Sequence, residues 1–457
     1  MTGNNNLAVL QKWIGEGADL TGITGLAEAA RSYFLFQFLV DFQRPSLIIL
    51  PGREEAEKLF RELRFFMSAH DVEESFTARR LYQFSPYDIS PMSGLSPHRE
   101  VITNRLRSLY ALISDKNPVI ITSFDALFLK TLPKEAFVRT LEYLEKGEEV
   151  EREPFLKRLE INGYQRVSLV EESGDYSVRG GVLDLFSPLY SLPVRLEFWG
   201  DQLESIRRFD PVSQRSQDQL KEVIILPANE IIMDKDNITR ARSMGRLPNL
   251  LEYGSSFSGQ EAWFNHFYPD LNTLLQYLPQ NGLITLMEPH RLEHAAKKIM
   301  GKFEEAAQKF RKEAAEKGVP FPEIKGLPAE YQEITGQLEN HQRLELSELE
   351  LDGKVAPRNT IRIQGRFQLD DALEIRSADK GRVSMSPLAE KIAERLEARF
   401  RVVLVSRTEQ QAARLKEILE NYEVFVGRIV NSWEEIPKRP GLTICLGRLA
   451  KGFIWPD

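Results

Sequence analysis

Two stretches of this chain have the spacing of a nucleotide site, and each lacks its decisive side chain. Gly22-Ile23-Thr24-Gly25-Leu26-Ala27-Glu28-Ala29 runs into a helical apolar pattern. A phosphate-binding loop needs Gly-x-x-x-x-Gly-Lys-Ser/Thr at such a place. Its amides cradle phosphate, its lysine reaches the terminal phosphates and its hydroxyl holds magnesium. Here Ala27 stands at the second glycine, Glu28 at the lysine and Ala29 at the hydroxyl. A carboxylate at the lysine position repels the anion it should bind. On its own, the pattern is an ordinary turn before a helix. The second stretch, Gly282 to Leu292, is a strand running into a helix. ATP hydrolysis needs an aspartate for magnesium followed by a glutamate that orients water. Met287 precedes Glu288, so the metal ligand is missing. On its own, this is a core strand with one exposed glutamate.

A third stretch suits docking better than catalysis. Gly174 to Pro188 reads as a Gly-rich turn and a short apolar strand, with Asp184 breaking the run Val182, Leu183, Leu185, Phe186. Val194, Leu196 and Phe198 then alternate with Arg195 and Glu197, the period of a half-buried strand. Gly200-Asp201 supplies a hairpin turn, after which Leu203 and Ile206 resume the apolar pattern. The result is a small antiparallel sheet displaying Arg179 and Arg195.

Composition narrows the class. The 457 residues have 42% hydrophobic and 10% aromatic content, enough for two to four domains with large cores. The net charge is −7, so no global basic field favours nucleic acid. The single Cys445, in the apolar run Thr443 to Gly447, excludes an intrachain disulfide and reads as a small buried hydrophobe. The six histidines are scattered, and His290 and His294, four apart, lack a third ligand nearby, so no metal site is expected. The start MTGNNN is polar and no run of about 18 apolar residues occurs, so neither a signal peptide nor a membrane span is expected.

Ser46–Leu50 and 118–122 read as buried strands. Between them lies a helix with Ala56, Leu59, Phe60, Leu63 and Phe66 on one face, an alternation that implies a parallel α/β sheet. Residues 289–317 form a long helix with Leu292, Ala296, Ile299, Phe303, Ala306 and Phe310 down one side, stopped by Gly318 and Pro320. After the acidic stretch ELSELELD, a helix from Ser386, the strand RVVLVS, a helix through Leu419 and the strand TICLG make a βαβ unit. The expected domains are residues 1–132, 133–213, 214–350 and 351–457, with the second inserted between two parts of one larger α/β domain.

The wording of several stretches resembles the family of the excision-repair protein UvrB and the bacterial transcription-repair coupling factor Mfd, with Mfd the closer match. These are Gly163–Gly181, Gly174–Pro188, Pro193–Ser216 and Phe84–Leu109, and the resemblance covers most of residues 1 to about 350. It implies a degenerate RecA/helicase-like parallel-sheet domain with an inserted small α+β domain, followed by a separate small α/β domain. Gly22, Gly25, Ala27, Glu28 and Ala29 then correspond to a degenerate ATP loop, and Met287 and Glu288 to a degenerate Walker B strand. In UvrB and Mfd the small domain docks UvrA. The residues carried over for that role are Arg179, Phe186 and Arg195, with Arg166 beside them. Residues 87–101 leave room for a turn only, so the aromatic hairpin with which UvrB probes DNA is not expected.

The resulting expectation is a non-catalytic, cofactor-free, cytoplasmic adaptor that recruits UvrA to stalled RNA polymerase. By the same resemblance it is an N-terminal part of a longer translocase that contacts RNA polymerase and double-stranded DNA, and it helps hold that motor in check. The alternative is a UvrB-like, DNA-dependent ATPase that engages damage directly.

Overall fold

The computed structural model describes residues 3–26, 28–67, 80–245, 256–348, 357–363, 377–378, 382–383 and 385–455. Its largest element is a seven-stranded sheet, parallel throughout. The strands are β1 (Leu20–Thr24), β2 (Ser46–Leu50), β3 (Leu81–Phe84), β4 (Val119–Ser123), β5 (Leu283–Met287), β6 (Gln342–Ser347) and β7 (Asn359–Arg362). Their spatial order is β7-β1-β6-β5-β2-β4-β3. Both faces are covered, so the central strands are apolar in both phases. Leu47, Ile49, Ile120, Ile284 and Leu286 feed one core. Ile48, Leu50, Ile121, Leu283 and Met287 feed the other. Helices Glu28–Asp41 and Arg53–Phe66 close the second face. Helix Arg99–Ser114 and the start of Pro289–Lys317 close the first. The long helix ends at Gly318, whose φ of +64° suits a residue without Cβ.

The chain leaves this sheet after β4 and returns to it at β5. In between lies a six-stranded sheet, ordered Ser216–Leu220, Gln202–Phe209, Val194–Trp199, Val182–Leu185, Asp175–Arg179, Gln165–Arg166. A two-stranded ladder of Glu142–Glu145 with Glu222–Ile225 stands beside it. Helix Arg152–Ile161 supplies Phe155 and Leu159 to its core, against Tyr176, Leu183, Leu196 and Ile206. Two expected boundaries shift. Ser216–Leu220 and Glu222–Ile225 pair within the small domain, so it extends past Ser213. Asn359–Arg362 pairs with β1, so the large sheet extends past residue 350.

Helix Arg99–Ser114 ties the small domain down. Arg99 bonds Asp175 at 2.7 Å, the Thr103 hydroxyl bonds Ser173 at 3.0 Å, and Arg107 donates to the Tyr190 carbonyl at 2.6 Å.

The last unit has a three-stranded parallel sheet ordered Arg401–Ser406, Gly441–Leu446, Arg428–Val430, with helices Ser386–Glu397 and Glu409–Glu420. It packs on the large domain through Tyr33, Phe65 and Phe66 against Trp433, Phe453 and Trp455. At Gly447 a Cβ would lie 2.2 Å from the Phe65 ring, so no larger residue fits that contact. Among the described residues no helix is long and apolar enough to cross a membrane. No group of three or more metal-ligating side chains occurs among them either.

Candidate functional site: a cleft at the strand ends and a displayed sheet face

The carboxyl ends of β2, β5 and β6, with helix Glu28–Asp41, border a cleft of about 340 Å³, at the place where open parallel sheets bind ligands. Gly22 lies inside β1 rather than in a loop, and Gly25 follows the strand with a φ of +89°. A Cβ at Gly25 would sit 2.2 Å from the Ile363 carbonyl oxygen. The turn is therefore short and is covered by the chain leaving β7. Ala27 and the side chains of Glu28 and Ala29 lie outside the described residues.

Met287 ends β5, and Glu288 follows in the left-handed region at φ +50°. Glu288 is buried, a correction to the exposed glutamate expected from sequence. It is buried because Arg31, itself 7% exposed, reaches across from helix Glu28–Asp41 to pair with it. A second Arg31 nitrogen bonds Glu348 at 3.2 Å, and the Glu348 amide donates to Glu288 at 3.0 Å. On the opposite wall, Arg291 bonds Glu55 at 2.7 Å and Ser32 donates to the buried Glu62. Both guanidinium groups lining the cleft are thus committed to carboxylates. Glu55, Glu62, Glu288 and Glu348 line the cleft together with Lys58 and the two arginines. No sequence pattern marked Arg31 as the partner of Glu288, because they are 257 residues apart.

On the small domain, side-chain parity separates two faces. Val178, Leu183, Leu196 and Ile206 are in register and point to the core. The residues between them form the outer face. There Arg179 is exposed and donates to the Ser168 carbonyl at 3.1 Å. Arg166 is exposed on the edge strand, and Phe186 is half-buried.

Arg195 requires a correction. It is not a freely displayed arginine. Its register partner is Asp184, which it holds at 2.7 and 2.9 Å through two nitrogens. It also stacks over Phe209 at 4.7 Å. Asp184 is 3% exposed, so Arg195 compensates a buried charge before it can contact a partner.

The outer face also holds a residue passed over in the sequence reading. Trp199 is 81% exposed at the end of the strand Val194–Trp199. The signal was present: with Val194, Leu196 and Phe198 inward, Arg195, Glu197 and Trp199 must face outward. An exposed indole and the exposed Arg179 guanidinium therefore share one face.

Residues 143–231 match the UvrB interaction domain family. The chain is 30% identical over 423 residues to a transcription-repair-coupling factor of Myxococcus xanthus, covering 88% of this chain and 34% of that protein. It is 28% identical to the protein of that name in Escherichia coli (strain K12), covering 69% of this chain and 27% of the relative. With the Staphylococcus aureus (strain MRSA252) protein of the same name it shares 27% identity, covering 65% and 26%. The chain therefore spans about a third or less of the length of these relatives. It is related to the transcription-repair-coupling factors through their N-terminal UvrB-like region, and its residues 143–231 belong to the UvrB interaction domain family.

Proposed function

We propose that this chain is a non-catalytic adaptor whose small domain docks UvrA, recruiting it for excision repair at stalled RNA polymerase. One observation carries the reading. Within the UvrB interaction domain, the outer sheet face presents the exposed Trp199 and Arg179 toward one end, with Phe186 at the opposite end of strand Val182–Leu185 and Arg166 exposed on the edge strand. Aromatic and arginine side chains bury large area and make bidentate contacts to carboxylates, so they dominate interface energies. Arg195 supports the face from within by holding Asp184.

The nucleotide cleft takes no part. Arg31 occupies it in the service of Glu288 and Glu348, and the sequence supplies neither the phosphate-binding lysine nor the magnesium aspartate. In this reading the chain neither binds nor hydrolyses ATP, and it needs no cofactor. Contacts to RNA polymerase and to double-stranded DNA, and restraint of an ATP-driven motor, belong to the longer coupling factors, of which this region is the recruiting part.

The test is a titration of UvrA over the immobilised chain. Arg179→Glu sets like charge against an acidic partner patch and should weaken binding more than Arg179→Ala. Arg414→Ala, on the exposed side of helix Glu409–Glu420, is the control and should bind as the parent does. Equal affinity for all three variants would remove the docking assignment.

A further inference from the structure

The last unit carries a feature that neither the cleft nor the docking face uses. Strand Arg401–Ser406 is an edge strand, paired among the described residues with Gly441–Leu446 alone. The Gly441 amide donates to the Phe400 carbonyl at 3.3 Å, and the Gly447 amide to the Ser406 carbonyl at 2.8 Å. These bonds fix the phase of the ladder. Residues 402 and 404 turn their backbone groups to the neighbouring strand, and Arg401, Val403 and Val405 turn their amides and carbonyls outward. Exposed edges are ordinarily blunted by proline, by a bulge or by inward charge. This one has unbroken register and the apolar run Val402–Val405. Leu442–Cys445 on the neighbouring strand are buried, whereas Arg401–Val405 are half-exposed.

The edge opens into a groove of about 440 Å³. Leu388 and Ile392 of helix Ser386–Glu397 form one wall, and Tyr33, Trp433, Phe453 and Trp455 form the other. Its rim is basic. Lys391, Arg395 and Arg399 recur every four residues, and Arg401 joins them. Among the described residues none of these has an ion-pair partner, and Arg395 rests over the Phe400 ring at 5.7 Å.

We propose that this groove takes an extended, acidic segment of a partner protein as a fourth strand. Backbone pairing with Arg401, Val403 and Val405 supplies affinity, apolar side chains enter between the two walls, and carboxylates meet the basic rim. A nucleic-acid backbone would satisfy the rim but leave the outward amides and the apolar walls unused, so the occupant is a peptide. The site is separate from the UvrA face and stands whether or not UvrA binds there.

The probe is a fluorescein-labelled octapeptide of alternating valine with aspartate or glutamate, titrated by anisotropy against the whole 457-residue chain. It should bind saturably and lose affinity with added salt. Its valine–lysine counterpart should not bind. The double variant Lys391→Glu, Arg395→Glu should weaken binding about tenfold or more, with the thermal midpoint unchanged. A peptide N-methylated at alternate residues should also lose binding; because the protein is unaltered, protein folding is not at issue. Equal binding of the lysine peptide or of the N-methylated peptide overturns the proposal. So does displacement of the acidic peptide by a thymidine oligonucleotide, or concentration-dependent dimerisation blocked by Lys391→Glu, which would make a second copy the occupant.

Discussion

Trp199→Ala separates docking from folding more cleanly than any other change. A tryptophan side chain buries roughly 150–250 Å² when covered. At 81% exposure, most of that area is still in water in the free chain. Covering the remainder against a partner is worth about 3–5 kcal/mol at about 25 cal/mol per Å², before the costs of ordering are subtracted. A hot-spot loss of about 2–4 kcal/mol is therefore expected, or roughly 30-fold to nearly 1,000-fold in Kd. The same truncation removes only the buried fifth of the side chain from the fold, so unfolding free energy should fall by only about 1 kcal/mol. Two assays on one preparation give both numbers: a UvrA titration by surface resonance or calorimetry, and urea unfolding by tryptophan-independent circular dichroism. An unchanged Kd for UvrA would refute the hot-spot reasoning. A loss of several kcal/mol in stability would refute the exposure on which it rests.

Arg195→Ala should do the reverse, costing about 1–3 kcal/mol of stability because Asp184 is left buried without its partner. Arg195→Lys should recover little of it, since one ammonium cannot replace two parallel bonds; urea midpoints check both. Glu28→Lys alone should not create ATP binding, because Arg31 stays paired to Glu288 and Glu348 and Met287 still supplies no magnesium ligand; a saturable calorimetric signal at micromolar ATP would contradict this. Glu261, 1% exposed, has its pKa pushed up to about 7 by burial, with the Glu230 charge adding to the effect. A carboxyl with a raised folded pKa contributes stability that is complete below its unfolded value of about 4.3 and is lost as pH rises through the folded one. The parent should thus lose up to about 4 kcal/mol from this group between pH 4 and 8, and Glu261→Gln should flatten that slope in urea unfolding.

The parts of the fold read from sequence were those governed by period. The strand Ser46–Leu50, the helix Pro289–Lys317 and the hairpin at Gly200-Asp201 all stand where alternation and turn chemistry placed them. The acidic stretch ELSELELD, from Glu345, reads by its charge as a boundary. Its first residues nonetheless continue β6, in which Leu344 and Leu346 alternate with Arg343 and Glu345 and both leucines are fully buried. Period is the better guide there: Leu344 and Leu346 share one phase and enter one core, while Arg343 and Glu345 in the other phase stay half-buried. The Arg195–Asp184 and Arg31–Glu288 pairs were hidden for another reason. Each depends on register or on a long chain return, and neither leaves a local mark. Trp199 was readable by parity alone.

The topology of the large sheet also sets an order of assembly during synthesis. β1 has β6 and β7 as neighbours, and the Thr21 hydroxyl bonds the carbonyl of Arg343, 322 residues downstream. At roughly 5–20 residues per second, a ribosome leaves β1 without its pairing for something on the order of 15–60 s. The small domain closes on itself by Ile225, with its own core and ladders, well before β5 is made. The emerging chain therefore carries a finished small domain while the sheet that bears it is still incomplete. β1 waits without either strand neighbour through that interval, whereas helix Glu28–Asp41 can pack on helix Arg53–Phe66 and on β2 and β4 as soon as they are made.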